Sequence, residues 1–241
     1  MTQTPVPANN AKLTYMCGRF ERSSSEDIII RDFRINKASI EVIPSYNVAP
    51  SQDILIVRID HEGNRQLSGC RWGFIPSWAK DPAIGYKTIN ARAETVATKP
   101  AYRDAFKKNR CLIVADGFYE WEKREKRKIP FYVRLKSGKP FGFAGLYSHQ
   151  ISPQGDRICT CTIITSDSNE LIQPIHDRMP VIIPKDKEDL WLDPEVQDQN
   201  SLLQLLRSYP AEELEMYEVS PKVNSPGSDG KDLIRPVQEI A

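Results

Sequence analysis

Cys111-Leu-Ile-Val-Ala-Asp-Gly-Phe-Tyr-Glu-Trp121 is the stretch that decides the fold. It has the apolar character of a long strand and is interrupted only at Asp116-Gly117. The charged run Glu122 to Lys128 then predicts a hairpin turn into a second strand over Phe131 to Lys136, and Ser137-Gly-Lys-Pro140 predicts another turn. Consecutive strands joined by short turns pair in antiparallel fashion. This part of the chain therefore predicts an antiparallel sheet.

The same pattern extends to both sides of this stretch. Upstream, the strands Asp53 to Asp60 and Gln66 to Trp72 are joined by a turn at His61-Glu-Gly-Asn64, and downstream Ile158 to Thr165 is a strand. Predicted helices, such as Pro100 to Lys108, are short and do not alternate with the strands. We therefore predict an α+β fold in which largely antiparallel sheets form an open barrel-like core with short peripheral helices.

Length and composition favour one domain. The chain has 241 residues, of which 40% are hydrophobic, so it can bury a core. We place a single domain at 17–241, preceded by a polar, flexible leader at 1–16. The leader lacks the apolar segment of a secretory signal, and no stretch is long enough to span a membrane. We therefore expect no membrane partner, and a cytoplasmic, nucleoid-associated location in a bacterium or a nuclear one in a eukaryote.

Charge and cysteine content exclude further classes. The formal net charge of +1 gives no global attraction to nucleic acid, so an anionic partner needs a local basic patch. The five cysteines are odd in number and lack a C-x-x-C motif, so we expect neither a disulfide framework nor a metal site. Cys159 and Cys161 are predicted to be small core residues on one face of a strand. Free thiols in this number indicate a reducing compartment.

Cys17 directly follows Met16. If Cys17 became the N-terminal residue, its thiol and a free α-amine would stand on adjacent carbons. Such an aminothiol condenses with an aldehyde to an imine, and the thiol then closes a five-membered ring. While residues 1–16 remain attached, the nitrogen is an amide and cannot form an imine.

Three segments offer polar groups for chemistry. If Asn90-Ala-Arg-Ala-Glu94 is extended, its three polar side chains lie on one face of the strand. Such a face either is solvated, which the pattern alone favours, or lines a cleft that binds phosphate. Glu120 stands between Tyr119 and Trp121, whose rings would raise its pKa and suit it to general acid catalysis, and a solvated Glu120 fits the pattern equally well. His176, between a predicted helix and a strand, is a proton shuttle or a structural histidine.

Isolated basic residues near these segments form a candidate binding groove. The arginines are Arg19, Arg71, Arg92, Arg103 and Arg178. Together with Trp72, Phe74 and Trp78 they would let guanidinium groups bind phosphates while rings stack on bases. Core packing is the alternative for the aromatic residues, and we expect at least one of the tryptophans to follow it.

Six segments occur together in a characteristic order. They are Met16-Cys-Gly-Arg-Phe20, Tyr46-Asn-Val-Ala-Pro50, Arg71-Trp-Gly73, Asn90-Ala-Arg-Ala-Glu94, Ala115-Asp-Gly-Phe-Tyr-Glu-Trp121 and His176-Asp-Arg178. In order and approximate spacing they resemble the SOS response-associated peptidase family, the abasic-site shielding proteins that crosslink to abasic sites in single-stranded DNA. The resemblance runs from Met16 to about Val223.

The resemblance implies a partner, a mechanism and a set of site residues. The partner is single-stranded DNA with an abasic site, whose aldehyde forms a Schiff base with the α-amine of Cys17 before the thiol closes a thiazolidine. A peptidase activity that exposes Cys17 and a lyase activity on abasic DNA are also implied, with no cofactor and no metal. The implied catalytic residues are Cys17, Asn90, Glu120 and His176. The implied DNA-binding residues are Arg19, Asn47, Trp72, Arg92, Arg103 and Arg178.

The leader is where this chain departs from the family pattern, which begins Met-Cys. Three accounts are open, in this order: Met16 is the true start, Cys17 removes the leader by autocatalysis, or the leader stays and the protein binds DNA without forming the ring. Two other functions are also open, a cysteine peptidase that cleaves only its own leader and a non-covalent single-stranded DNA-binding module. Recruitment by a replication partner is a further open question.

Overall fold

The computed structural model describes residues 17–125, 127–151 and 155–237. The leader predicted at residues 1–16 lies outside the described residues. Within the described ranges, no helix has the length and the apolar character needed to cross a membrane.

Strands are the main elements of the described chain. They are β1 (Phe20–Arg22), β2 (Lys37–Ala38), β3 (Ser45–Val48), β4 (Asp53–Ile59), β5 (Arg65–Trp72), β6 (Asn90–Arg92), β7 (Arg110–Ala115), β8 (Gly117–Arg124), β9 (Arg127–Leu135), β10 (Phe141–Ile151), β11 (Arg157–Asp167), β12 (Arg178–Pro180), β13 (Ile182–Ile183) and β14 (Leu214–Glu218). The α-helices are α1 (Glu26–Asp32), α2 (Arg103–Lys108), α3 (Glu188–Leu192) and α4 (Gln199–Gln204). Short 3₁₀ helices lie at Pro82–Lys87, Lys185–Lys187, Ala211–Glu213, Pro221–Asn224 and Lys231–Ile234.

Five strands close into a barrel. Antiparallel pairs join β7 to β10, β10 to β11, β4 to β5 and β4 to β7. The fifth pair, β5 with β11, is parallel and short, matching Thr160 with Arg71 and Cys161 with Trp72. The predicted fold class, α+β with largely antiparallel sheets, a barrel-like core and short peripheral helices, is therefore confirmed, but the barrel is closed by the parallel seam rather than open.

Side chains alternate between the inside and the outside of the barrel along each strand. On β4, Ile54 and Ile56 belong to the apolar cluster inside the barrel, whereas Leu55 and Val57 belong to the cluster between the barrel and the helices. Successive side chains of a strand point to opposite faces. A strand covered on both faces therefore carries a continuous apolar run, as β4 does.

The stretch Cys111 to Trp121 forms two strands in two different sheets. β7 belongs to the barrel, whereas β8 belongs to a second sheet with the strand order β14-β9-β8-β1-β3. β1 pairs with β8 and places Phe20 opposite Phe118. The start of the domain and the end of this stretch are therefore neighbours.

The corner between the two strands lies at Asp116 and Gly117. The Asp116 carboxylate accepts hydrogen bonds from the backbone nitrogens of Ser23 and Ser24 at 2.8 and 2.9 Å. At Gly117 a Cβ atom would lie 2.3 Å from the Tyr132 ring, so only glycine fits. The corner turns β8 away from the barrel and towards β1.

A disulfide bond joins the two strands of the parallel seam. Cys70 on β5 and Cys159 on β11 are bonded, with Cα atoms 4.8 Å apart. The sequence predicted free thiols and no disulfide framework. This prediction was wrong for Cys70 and Cys159, because the β5–β11 pairing brings together residues 89 positions apart in sequence. Cys17, Cys111 and Cys161 are free and buried. Cys161 lies in the core, as the sequence predicted.

Loss of this disulfide is expected to lower the free energy of unfolding by about 4 kcal/mol, because a cross-link that closes a long loop restricts the unfolded chain. Urea denaturation with and without a reductant measures the difference. The double variant Cys70→Ala/Cys159→Ala is the control, and its midpoint should not respond to the reductant. An equally unresponsive wild-type protein would contradict the prediction.

Candidate active site

Cys17 lies at the entrance to β1 and is buried, with 3% of its surface exposed. Its backbone nitrogen donates a hydrogen bond to Oε1 of Glu120 at 3.0 Å. The bond follows from the pairing of β1 with β8, in which the Tyr119 nitrogen also donates to the Arg19 carbonyl oxygen at 3.0 Å. Cys17 has a φ of 44°, in the left-handed region that non-glycine residues rarely adopt. Such strain at a candidate site is a pointer to function.

Glu120 is a buried carboxylate with 2% of its surface exposed. Burial is the main cause that raises the pKa of Glu120 to about 7. Hydrogen bonding with Cys17 opposes this shift, and the nearby negative charge of Asp177 adds to it. The sequence left open whether Glu120 faces water, and the structure buries it. Near neutral pH such a group is present as both acid and base, so it can donate or accept a proton.

The Cys17 thiol is held in its protonated form. Burial raises its pKa well above the usual value, and the adjacent Glu120 raises it further, whereas the Arg178 charge lowers it. The thiolate is the nucleophilic form of cysteine. Sulfur chemistry at this position therefore requires a neighbouring base, and Glu120 is the one in contact.

His176 lies in the turn before β12, with 16% of its side chain exposed. Its Nδ1 accepts a hydrogen bond from the Arg178 backbone nitrogen at 3.0 Å, so the neutral ring carries its proton on Nε2. Burial lowers the pKa of His176, while Asp177 opposes this shift. The lowered pKa favours the neutral ring, whose Nε2–H can donate a hydrogen bond.

One cavity lies beside Cys17 at Gly18, a second is lined by His176, and a third adjoins the first at Ser51 and Tyr86. The central cavity, about 660 Å³, is lined by Gly18, Arg19, Ala49, Pro50, Ser51, Tyr86, Trp121, Lys128, Asn224 and Pro226. The histidine-side cavity, about 650 Å³, is lined by Arg92, Trp121, Glu122, Lys123, Pro174, Ile175, His176 and Asp177. The loop-side cavity, about 610 Å³, lies against the loop after β5 and is lined by Ser51, Arg71, Trp72, Gly73, Ile75, Asp81, Pro82, Ala83, Gly85 and Tyr86.

Asn90 and Arg92 lie on the short strand β6. This short strand runs parallel to β11 and matches Asn90 with Ile163 and Arg92 with Thr165. The alternation of side chains places the two residues on the same face, while Ala91 between them is buried. Arg92 is exposed and lines the histidine-side cavity.

Arg178 is buried and already bound to carboxylates. Its guanidinium contacts both oxygens of Glu94, at 2.7 and 3.0 Å, and Oδ1 of Asp167 at 2.7 Å. It also donates to the Thr165 carbonyl oxygen at 2.6 Å. With these partners Arg178 acts on the site through its charge near Cys17, and a phosphate would have to displace a carboxylate to reach it.

Arg19 and Asn47 tie the site to the C-terminal segment. Arg19 donates to Oδ1 of Asn47 at 2.7 Å and to the Val223 carbonyl oxygen at 2.8 Å. Asn47 is buried and donates to the carbonyl oxygens of Ser225 and Ser228 at 2.9 and 2.7 Å. Arg19 therefore lines the central cavity, while Asn47 holds its wall in place.

The aromatic residues predicted for the groove divide into two groups. Trp72 and Phe74 are fully buried, and the Trp72 ring nitrogen donates to the Ile89 carbonyl oxygen at 2.9 Å inside the core. Trp78 is 58% exposed. The side chain expected to stack on bases at position 72 is thus part of the barrel interior, because Trp72 faces inward on β5, and the exposed ring nearby belongs to Trp78.

Arg103 does not join this group. It opens α2, more than half exposed, 3.7 Å from Asp104, and does not line any of the three cavities. Tyr86 and Asn224, which the sequence did not single out, do line the central cavity. Asn224 accepts a hydrogen bond from the Trp121 ring nitrogen at 2.6 Å. Proximity in space, rather than any local pattern, identifies these residues.

The chain is similar to known proteins over most of its length. A family model described as SOS response associated peptidase (SRAP) matches residues 16–226. The abasic site processing protein YoqW of Bacillus subtilis is 50% identical over 222 residues, which are 91% of this chain and 99% of YoqW. The abasic site processing protein HMCES of Xenopus tropicalis is 33% identical over 212 residues, 76% of this chain and 63% of HMCES. A crystal structure of a protein from Bacteroides thetaiotaomicron is 26% identical and has a TM-score of 0.79, covering 90% of this chain and 99% of that one.

Proposed function

This chain belongs to the SOS response-associated peptidase family, and on that premise we propose that it processes abasic sites in single-stranded DNA by bonding covalently to them through Cys17. The observation that carries the proposal is the 3.0 Å hydrogen bond between the Cys17 backbone nitrogen and the Glu120 carboxylate. Relatives that are named abasic site processing proteins support the choice of substrate.

The proposed reaction uses Cys17 as the N-terminal residue. The opened sugar of an abasic site presents an aldehyde at C1′. The α-amine adds to this carbon, and loss of one water gives an imine. The thiol then adds across the C=N bond, with sulfur bonding to carbon and the proton going to nitrogen. The product is a thiazolidine ring that holds the protein on the DNA.

Glu120 is placed to move the protons of this sequence. Its pKa of about 7 lies just below the ordinary α-amine value of about 8. The carboxylate can therefore accept a proton from the α-ammonium group, and the acid form can return one to the departing hydroxyl. In the same scheme the Nε2–H of His176 donates a hydrogen bond to the sugar ring oxygen as the ring opens, the acid form of Glu120 supplies the proton, and Asn90 orients the amine or the sugar.

Basic side chains at the cavities provide the contacts to DNA phosphates. Arg19 and Lys128 line the central cavity, while Arg92 and Lys123 line the histidine-side cavity. Guanidinium and ammonium groups bind phosphate oxygens strongly, and such binding weakens as salt rises. A local set of this kind suits a chain whose overall charge is only +1.

The purified active protein is expected to begin at Cys17, because only a free α-amine can form the imine. Intact mass spectrometry of the protein, before and after reaction with abasic DNA, measures this. A chain that keeps residues 1–16 and still crosslinks would contradict the thiazolidine mechanism.

A denaturing gel tests the function itself. The protein is incubated with a single-stranded oligonucleotide that contains one abasic site, and the expected result is a band shifted by the mass of the protein. An intact oligonucleotide of the same sequence is the control. Salt-sensitive binding without any shifted band would favour the non-covalent binding module instead.

A second candidate function is hydrolysis of the peptide bond between residues 16 and 17. The nitrogen that Glu120 contacts is also the nitrogen that would leave in this cleavage, and the adjacent Cys17 has a strained φ of 44°. An acid beside a leaving amine assists its departure. If Cys17→Ala retains residues 1–16 and the wild-type protein forms no DNA adduct, autocatalytic cleavage is the better account.

A further inference from the structure

The disulfide bond lies at the parallel seam that closes the barrel. The pairing of β5 with β11 covers Arg71 with Thr160 and the residues directly after them. Cys70 and Cys159 are the residues directly before this pairing, so the bond joins the two strands at the end of a very short ladder. A parallel pair is less stable per residue than an antiparallel one, and short ladders open more easily than long ones. The covalent bond therefore restrains a part of the barrel that hydrogen bonds alone hold weakly.

Both strands lead from the disulfide bond to the cavities of the candidate site. On β5, the Trp72 carbonyl oxygen accepts a hydrogen bond from the Ser51 nitrogen at 2.8 Å, and Ser51 lines the central and the loop-side cavity. On β11, the Cys161 carbonyl oxygen accepts a hydrogen bond at 2.9 Å from the nitrogen of Gly73, which lines the loop-side cavity. β11 also pairs with β6, which carries Arg92 of the histidine-side cavity. Separation of β5 from β11 would therefore displace the walls of these cavities.

The surroundings of the bond suit thiol–disulfide exchange. Cys159 is only partly buried, whereas Cys70 is 2% exposed, so a reductant reaches the bond from the Cys159 side. His149 lies directly opposite Cys159 in the β10–β11 pair, and Arg58 contacts its Nε2 at 3.4 Å. Burial, together with the positive charges of Arg157 and Arg58, lowers the pKa of His149 to about 4. Cationic surroundings of this kind favour thiolates, which are the species that attack and leave in the exchange.

We propose that the Cys70–Cys159 bond is a redox switch of DNA binding. The disulfide form holds the cavity walls in the arrangement that binds DNA, and reduction by a small protein with a dithiol site weakens this binding. The inference rests on the proposed function, which names DNA as the ligand. It gives the seam a regulatory role in addition to its effect on stability.

Reduction consists of two successive exchanges. A thiolate of the reductant attacks the Cys159 sulfur, the S–S bond of the protein breaks, and Cys70 leaves as a thiolate that takes up a proton. The second thiol of the reductant, as a thiolate, then attacks the reductant's own sulfur in the mixed disulfide and releases Cys159, which is protonated in turn. Two electrons and two protons have passed to the protein, and the reductant ends as a disulfide. The walls at Ser51 and Gly73 are then held by hydrogen bonds alone.

Fluorescence anisotropy with a single-stranded oligonucleotide that contains a tetrahydrofuran abasic analogue tests the switch. The analogue has no aldehyde, so no adduct forms and binding is measured apart from the chemistry of Cys17. The reduced protein is expected to bind about tenfold more weakly than the disulfide form, which is a usual size for the coupling between two sites. Cys70→Ala/Cys159→Ala is the control, and it should bind like the reduced wild type and not respond to dithiothreitol.

The coupling must also act in the opposite direction, because a ligand that prefers one form stabilises that form. The same oligonucleotide at saturation should therefore make the disulfide harder to reduce. A tenfold preference for the disulfide form corresponds to a midpoint potential about 30 mV more negative for this two-electron couple. Thiol labelling and mass spectrometry, after equilibration in graded mixtures of reduced and oxidised dithiothreitol, measure the potential. A disulfide that only stabilises the fold gives the same potential with and without DNA.

The outcomes separate a switch from a structural cross-link. Equal binding by the two forms would overturn the inference, and so would a midpoint potential that DNA leaves unchanged. A loss of binding caused by global unfolding of the reduced protein, detected as loss of the near-ultraviolet circular dichroism signal, would overturn it as well. Weaker binding by a reduced protein that stays folded, together with the shifted potential, would support it. If the wild type forms no adduct with abasic DNA but shows both effects, the proposed covalent function fails and the redox switch stands.

Discussion

Cys17→Ala is expected to abolish the denaturant-resistant adduct with abasic single-stranded DNA, by a factor on the order of 1000 or more, because the variant has no thiol to close the ring. An imine formed by the α-amine alone reverts in water, so the bond would not survive a denaturing gel. Band intensity against time, for wild type and variant at equal protein concentration, measures the effect.

Two further variants make this result specific. Cys111→Ala and Cys161→Ala each remove a free cysteine that is buried in the barrel core. Both should crosslink like the wild type. Borohydride added during the reaction should trap the imine of Cys17→Ala, provided that its N-terminus is residue 17. A stable adduct from Cys17→Ala without borohydride would contradict the ring mechanism.

Glu120→Gln is expected to slow crosslinking about 100-fold, because it removes a general acid and base while keeping the amide oxygen as an acceptor for the Cys17 nitrogen. The loss should be measured as the rate at saturating abasic DNA between pH 5.5 and 8.5. In the wild type the rate should depend on a group that titrates near pH 7, the pKa of buried Glu120. This dependence should disappear in the variant.

The same substitution is expected to stabilise the protein above pH 7. In the folded protein the pKa of Glu120 is raised from 4.5 to about 7. Below pH 4.5 the carboxyl is protonated in both the folded and the unfolded state, so it has no effect on the pH dependence of stability. As pH rises from 4.5 to 7, only the unfolded state releases this proton, so the wild type loses stability with increasing pH. At about 1.4 kcal/mol per pKa unit, the full loss is roughly 3 kcal/mol.

Urea denaturation of wild type and Glu120→Gln at pH 4.5, 6 and 8 measures this, with a difference that should grow with pH. Glu21→Gln is the matched control, because burial also raises the pKa of Glu21 to about 7 and it lies outside the three cavities. The control should show the same trend in stability and unchanged crosslinking. A constant difference across the pH range would refute the assignment of a raised pKa to Glu120.

The hairpin-rich part of the fold could be predicted because it depends on neighbouring segments. The run Cys111 to Trp121 and the turns after it contain the apolar pattern and turn residues that antiparallel pairing requires. The β5–β11 seam could not be predicted in this way. It joins Arg71 to Thr160 through a short parallel pair, and no local pattern encodes such a contact. The Cys70–Cys159 bond was missed for the same reason.

The candidate site shows a similar division. The segment around Cys17 and the aromatic setting of Glu120 are local features, and the structure brings the two residues into contact. Which face of a strand a side chain occupies is decided by the sheets that cover it. For this reason the sequence predicted that Trp72 stacks on bases, whereas in the structure its side chain lies in the barrel interior. Tyr86 offered no signal, since exposure is a property of the folded loop.

The burial of Cys17 has a consequence for which aldehydes can react with the protein. In the proposed reaction each molecule is a single-use reagent, because its aminothiol is spent on the first aldehyde that it captures. Free sugars and small metabolic aldehydes would exhaust an aminothiol that was open to solvent. With only 3% of its surface exposed, Cys17 is screened from such decoys, so that an aldehyde carried on a docked DNA strand has the advantage.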